Sequence, residues 1–121
     1  MATILTVDDS PSIRQMIKVA LEPAGHTVIE AADGAQGLAM AQSSRPSMVI
    51  TDLNMPVMNG LELIRALRQQ PTLTGLPIVF LTTESSDTVK QEAKSAGATG
   101  WITKPFKPEQ LLAVVGKLVR A

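Results

Sequence analysis

A chain of 121 residues, 45% hydrophobic with mean hydropathy +0.16, is long enough for one domain, residues 1–121, that buries about two thirds of its unfolded surface. It has no cysteine, which excludes disulfides and thiolate metal sites, and a formal net charge of zero argues against a general nucleic-acid binder. No apolar stretch approaches the roughly 20 residues of a membrane span and the N-terminus lacks a signal-peptide pattern, so a cytoplasmic protein is expected.

Strand and helix signals then alternate five times. Ile4 to Val7 is an apolar strand. Ser10-Pro11 opens a helix with a cap residue and a first-turn proline, Ile13, Met16, Ile17, Ala20 and Leu21 form its apolar stripe, and Gly25 is expected to end it. Thr27 to Ala31 is a second strand, and Asp33 caps a weaker helix containing Gly34 and Gly37. Met48 to Thr51 is the third strand; after the Met55-Pro56 loop, Asn59 caps a helix with Leu61, Ile64 and Leu67 on one side and Glu62 at the capping-box position. Pro77 introduces a fourth strand, Ile78 to Leu81, followed by a helix from Asp87 to Ala96. Gly100 to Thr103 is the fifth strand, and Pro108 starts the last helix. This alternation predicts an α/β fold, a five-stranded parallel sheet with helices on both faces.

Two helices stand apart. The last offers Leu111, Leu112, Val114, Val115, Leu118 and Val119, a stripe wider than one packed face requires. The fourth offers only Val89, Ala93 and Ala96, a narrow stripe that anchors a helix weakly and reads equally as an element able to shift or as a short surface helix without a role. Charge is also divided: residues 1–85 carry five basic and eight acidic side chains, residues 86–121 six and three. A mildly basic partner face and an ordinary solvated surface both account for that split.

The chemistry lies at strand ends. Asp8, Asp9, Asp52, Thr82 and Lys104 all fall at the C-terminal ends of strands one, three, four and five, where open parallel α/β sheets bind ligands. Two carboxylates about 5 Å apart repel by roughly 3 kcal/mol at an effective dielectric of 20, so a cation between them is expected. An oxygen-only cluster points to a hard cation, and Mg²⁺ fits because it takes few protein ligands and shares its sphere with phosphate and water. A carboxylate beside it can act as a nucleophile toward phosphorus. Lysine and threonine would add positioning and charge neutralisation.

Four segments carry a resemblance: Val7-Asp8-Asp9-Ser10, Asp52-Leu53-Asn54-Met55-Pro56-Val57-Met58-Asn59-Gly60, Leu81-Thr82-Thr83-Glu84 and Gly100-Trp101-Ile102-Thr103-Lys104-Pro105-Phe106. Along essentially its whole length the chain resembles the receiver domains of two-component response regulators, most of all the single-domain chemotaxis regulators of the CheY type. The resemblance implies a flavodoxin-like fold with strand order 2-1-3-4-5. It implies that Asp52 accepts a phosphoryl group from a histidine kinase, and that Asp9 and Asp52 bind Mg²⁺ directly with the Asn54 backbone carbonyl while Asp8 acts through water. Lys104 would pair with the phosphoryl oxygens, and Lys104-Pro105 is expected to be cis. Thr82 matches the switch hydroxyl and Trp101 the switch aromatic, commonly a smaller tyrosine or phenylalanine. Asn54 and Glu84 occupy positions that tune phosphoryl lifetime.

The expected output is an altered surface on the fourth helix, fifth strand and fifth helix, read by a downstream partner. A flagellar motor switch protein is the first expectation, with a phosphatase as a further partner and the chain itself a monomer without nucleic-acid or membrane partners. A receiver in a non-chemotaxis phosphorelay, or a phosphate sink, is the alternative. A phosphatase of the haloacid dehalogenase type also uses an aspartyl nucleophile, Mg²⁺, threonine and lysine. It wants a second aspartate two residues on as general acid, where this chain has Asn54. A flavodoxin-like cofactor binder would place phosphate at the end of strand one, where Asp8 and Asp9 repel it. A never-phosphorylated interaction module is disfavoured by the intact acceptor set. The chain is therefore expected not to be an enzyme beyond assisting its own phosphorylation and dephosphorylation. His26, in a loop with no second histidine, reads as a surface residue, and Arg14 and Lys18 as a solvated helix face, with contact to the kinase as the other reading.

Overall fold

The computed structural model describes residues 2–53, 55, 57–73, 75–83 and 87–119. Five strands, β1 (Thr3–Val7), β2 (Thr27–Ala31), β3 (Met48–Asp52), β4 (Ile78–Thr82) and β5 (Gly100–Thr103), alternate with helices α1 (Pro11–Leu21), α2 (Gly34–Ser44), α3 (Gly60–Arg68), α4 (Asp87–Ala96) and α5 (Pro108–Leu118). All strand pairs are parallel, in the order β2-β1-β3-β4-β5. The central strands β3 and β4 are buried at every position, which is why they read as unbroken apolar runs.

Two cores form, one on each face of the sheet. Ile4, Met48, Ile50, Val79 and Ile102 pack with Ile17 and Leu21 of α1 and Leu111 and Val115 of α5. Leu5, Val7, Val49, Ile78 and Phe80 pack with α2, α3 and α4 through Ala41, Leu63, Ile64, Leu67 and Ala93. Alternate strand residues serve opposite faces, as a period of two requires. The caps fall where the side chains demand: Ser10 accepts from the Ile13 N–H and Asp33 from the Gln36 N–H. Asn59 and Glu62 exchange both bonds of a capping box.

Three expectations are refined. The first α-helix ends at Leu21, not Gly25, and Glu22–Ala24 continues as a single 3₁₀ turn. Pro23 has no N–H to donate one turn back, and Gly25 closes the turn in the left-handed region at φ 97°. On α5 only Leu111 and Val115 are fully buried; Leu112, Val114, Leu118 and Val119 cover the core's edge half-buried. His26 is half-buried rather than on the surface. The narrow stripe of α4 stands as expected, with Ala93 its only fully buried residue.

Gly60 sits where β3 hands over to α3. Its N–H donates to the Leu53 carbonyl at 2.9 Å. A Cβ there would collide with the Asp52 carbonyl oxygen and lie 2.7 Å from the Leu53 Cα. Both obstacles are backbone and cannot swing aside. Gly60→Ala is therefore expected to cost about 2–3 kcal/mol, read as a lower urea midpoint; an unchanged midpoint would show that this loop yields freely.

Candidate functional site

The sheet's register assembles the site. Val7 pairs with Thr51, Asp52 with Leu81 and Thr82 with Thr103, so the residues at and just beyond these pairs emerge along one edge. Asp8 keeps its N–H on the Ala31 carbonyl at 3.1 Å and turns its carboxylate inward. That side chain is 1% exposed, with Oδ1 accepting from the Ser10 N–H at 2.9 Å. Asp52 is 8% exposed, and its Oδ1 accepts from the Leu53 N–H at 2.8 Å. Asp9 is exposed. One oxygen from each of the three carboxylates lies within 4.8 Å of the others.

Lys104 faces them from the end of β5. Its N–H donates to the Thr82 carbonyl at 2.8 Å, and its Nζ stands 3.4 Å from both Asp8 Oδ2 and Asp52 Oδ1. The Lys104-Pro105 bond is cis, as the resemblance implied. Thr82 closes β4 with its side chain buried. Trp101 points the other way: it is 47% exposed, its ring centroid is 6.3 Å from that of Phe80, and Lys90 Nζ lies 4.7 Å above its face. Asn54 and Glu84 lie outside the described residues.

Three carboxylates against one ammonium leave two negative charges in a largely buried pocket. Burial, above all, raises the Asp8 carboxyl above its ordinary value of 3.8, and the Asp52 charge adds to that; the Ser10 N–H and Lys104 pull the other way. The donor set suits a hard divalent cation in charge and in oxygen chemistry. Ligands on opposite sides of an octahedral Mg²⁺ are about 4.2 Å apart, slightly less than the 4.8 Å spread found here. The pocket thus suits such an ion in charge, donor type and size, with Asp8, Asp9 and Asp52 as the carboxylates that could hold it.

Comparison with known proteins agrees with this geometry. The family profile described as response regulator receiver domain matches residues 4–116. The chain is a receiver domain of that family. The Vibrio cholerae chemotaxis response regulator CheY4 has a superimposable structure, TM-score 0.94 at 50% identity, covering 98% of this chain and 99% of that one. Protein PilH of Pseudomonas aeruginosa is 35% identical over 119 residues, 98% of each chain. The phosphate regulon regulator PhoB of the same organism is 37% identical, and there the receiver spans 52% of the relative's length. The receiver of a sensor histidine kinase of Pseudomonas aeruginosa, described with a magnesium ion coordinated in its active-site cleft, superimposes with TM-score 0.90 at 28% identity over 97% of this chain and 96% of that one.

The receiver thus belongs to a phosphorylation-activated response regulator of a two-component system, and membership implies a histidine kinase and a downstream target. Among the described residues no helix is long and apolar enough to cross a membrane.

Two contributors escaped the sequence reading. Arg14, read as part of a solvated helix face, is half-buried and donates a short hydrogen bond from Nη1 to the Asp8 carbonyl. Gly34 stands against Met58, where an added Cβ would meet the Met58 Cβ at 2.8 Å, so α2 abuts the loop that follows Asp52. The signal for Gly34 was present in its position directly after the Asp33 cap. Nothing in the sequence pairs Arg14 with a carbonyl.

Proposed function

We propose that Asp52 is the phosphoacceptor and that the receiver is a Mg²⁺-dependent switch. The observation that carries this is the Lys104 ammonium held 3.4 Å from Asp8 and from Asp52 beside two uncompensated negative charges. Asp52 Oδ1 is engaged by the Leu53 N–H and Lys104, which leaves Oδ2 to attack phosphorus. The new O–P bond forms as the P–N bond to the donor's phosphohistidine breaks, and the imidazole leaves with the electron pair and takes up a proton. Bound Mg²⁺ would neutralise phosphoryl oxygen charge. Asp9, Asp52 and the Asn54 carbonyl are assigned as direct ligands, and Asp8 acts through water. Lys104 then turns from its carboxylate partners to a phosphoryl oxygen, and the Thr82 hydroxyl donates to another.

Thr82's movement vacates space beside β5, and Trp101 follows from its outward position, leaving Lys90. The α4-β5-α5 surface is thereby altered, a shift between two arrangements of one protein. The protein catalyses no reaction on other substrates. Asn54 and Glu84 are assigned to tuning the phosphoryl lifetime. Likeness to the chemotaxis regulator CheY4 favours a chemotaxis kinase as donor and a flagellar motor switch protein as target, with a phosphatase resetting the signal. Likeness to the phosphate regulon regulator PhoB keeps a non-chemotaxis pathway as the second reading.

The direct test is incubation with a phosphohistidine donor, with and without Mg²⁺, followed by intact mass. One added phosphoryl group only with Mg²⁺ supports the reading; labelling indifferent to Mg²⁺ refutes it. Thr82→Ala is expected to label normally and to bind the phosphorylation-dependent partner at least about tenfold more weakly, the loss of one charge-assisted hydrogen bond. Undiminished partner binding would remove Thr82 from the switch.

A further inference from the structure

Arg14 lies one helical turn inside α1, and its side chain runs back toward the helix start, over the end of β1. Its Nη1 donates to the Asp8 carbonyl, while Nε donates to Glu30 Oε1 on β2 at 3.0 Å. The second oxygen of Glu30 is 3.4 Å from Lys18 Nζ. Glu30 is thus held at both oxygens, and it orients a guanidinium whose side chain is only 16% exposed. The Asp8 carbonyl needs such a partner because it lies past the last strand pairs, Val7↔Ala31 and Val7↔Thr51.

The bond falls on the peptide unit that joins Asp8 to Asp9. Asp8's carboxylate is aligned separately, by the Ser10 N–H and Lys104. Asp9 is exposed, so the direction in which its carboxylate emerges depends on how that peptide plane is held. We propose that Arg14, oriented by Glu30, is a positioning residue that fixes the Asp8–Asp9 peptide and so presets the two carboxylates for the divalent cation. The cause is geometric: Arg14 acts on the peptide carbonyl itself, and its charge is paired with Glu30. The proposal rests on the metal reading of the pocket and adds a residue outside it.

The test is calorimetric titration with Mg²⁺ of the unaltered protein, Arg14→Met, Glu30→Gln and the double variant, alongside labelling rates across Mg²⁺ concentration. Arg14→Met is expected to weaken Mg²⁺ about tenfold, as loss of an outer-shell partner does, with the labelling rate at saturating Mg²⁺ nearly kept. Glu30→Gln should weaken Mg²⁺ less, and the double variant no more than Arg14→Met alone, because Glu30 acts through Arg14. Melting temperatures separate this from a purely structural role: lower stability with unchanged Mg²⁺ affinity in Arg14→Met overturns the proposal. A double variant well below Arg14→Met overturns the part given to Glu30. If the unaltered protein takes up no Mg²⁺ at all, the metal reading itself falls, and the proposal with it.

Discussion

Asp52→Asn loses phosphoryl labelling by a phosphohistidine donor to background, a fall of more than about three orders of magnitude when a covalent nucleophile is removed. The carboxamide has the same shape but carries no charge to attack phosphorus. Its oxygen can still accept from the Leu53 N–H, now 2.8 Å from Asp52 Oδ1, and Lys104 keeps Asp8 at 3.4 Å. The fold is therefore retained. The substitution removes an attraction to Lys104 and a repulsion from Asp8 and Asp9, each a few kcal/mol at an effective dielectric of 20, and the two oppose each other. A melting temperature within about 3 °C of the parent is expected, less than 1 kcal/mol for a domain of this size. Loss of labelling with an intact fold separates a missing nucleophile from a missing structure. Labelling that persists at a comparable level would place the acceptor elsewhere.

The site's parts were legible because polar residues at the ends of apolar runs have few structural uses. Asp8, Asp52 and Thr82 each follow or close a run that packs on both sides, Lys104 follows the shorter edge strand, and parallel pairing brings these ends together. The order of the strands was not legible from pattern alone, since β1, β3 and β4 are all apolar and give no cue to their neighbours; the resemblance supplied it. Long-range polar contacts were invisible for a similar reason. Arg14 and Glu30 are sixteen residues apart, on a helix and an edge strand whose adjacency follows only from the assembled sheet. The resemblance put Trp101 at the switch aromatic's position, but its outward packing on Phe80 beneath Lys90 depends on how α4 lies against β5. Pro23, by contrast, sat in plain view, and its missing N–H explains why the first helix stops early.

Asp8→Asn reverses the order of stability with and without Mg²⁺. Burial raises the Asp8 carboxyl above 3.8 in the folded protein, so the folded state holds that proton more tightly than the unfolded chain does. Folding stability contributed by this group is then greatest at low pH and falls as pH rises through the window from 3.8 to the raised value. At neutral pH the ionised, 1% exposed side chain is a net cost, because its bonds to Ser10 and Lys104 do not offset desolvation and the neighbouring charge. Asparagine can keep the Ser10 contact without the charge. In metal-free buffer Asp8→Asn is expected to melt about 3–6 °C higher, equivalent to about 1–2 kcal/mol, with a flatter pH dependence just above pH 3.8. Mg²⁺ then acts on the two proteins differently. At one hundred times its dissociation constant it stabilises the parent by about 2.7 kcal/mol. The variant, lacking one of three carboxylates, gains little. Thermal melts at several pH values, each with and without Mg²⁺, therefore cross: the variant leads without the metal and the parent leads with it. If the variant melts lower in both conditions, the buried charge is not a cost, and the cluster is held together by contacts other than the cation it is built to receive.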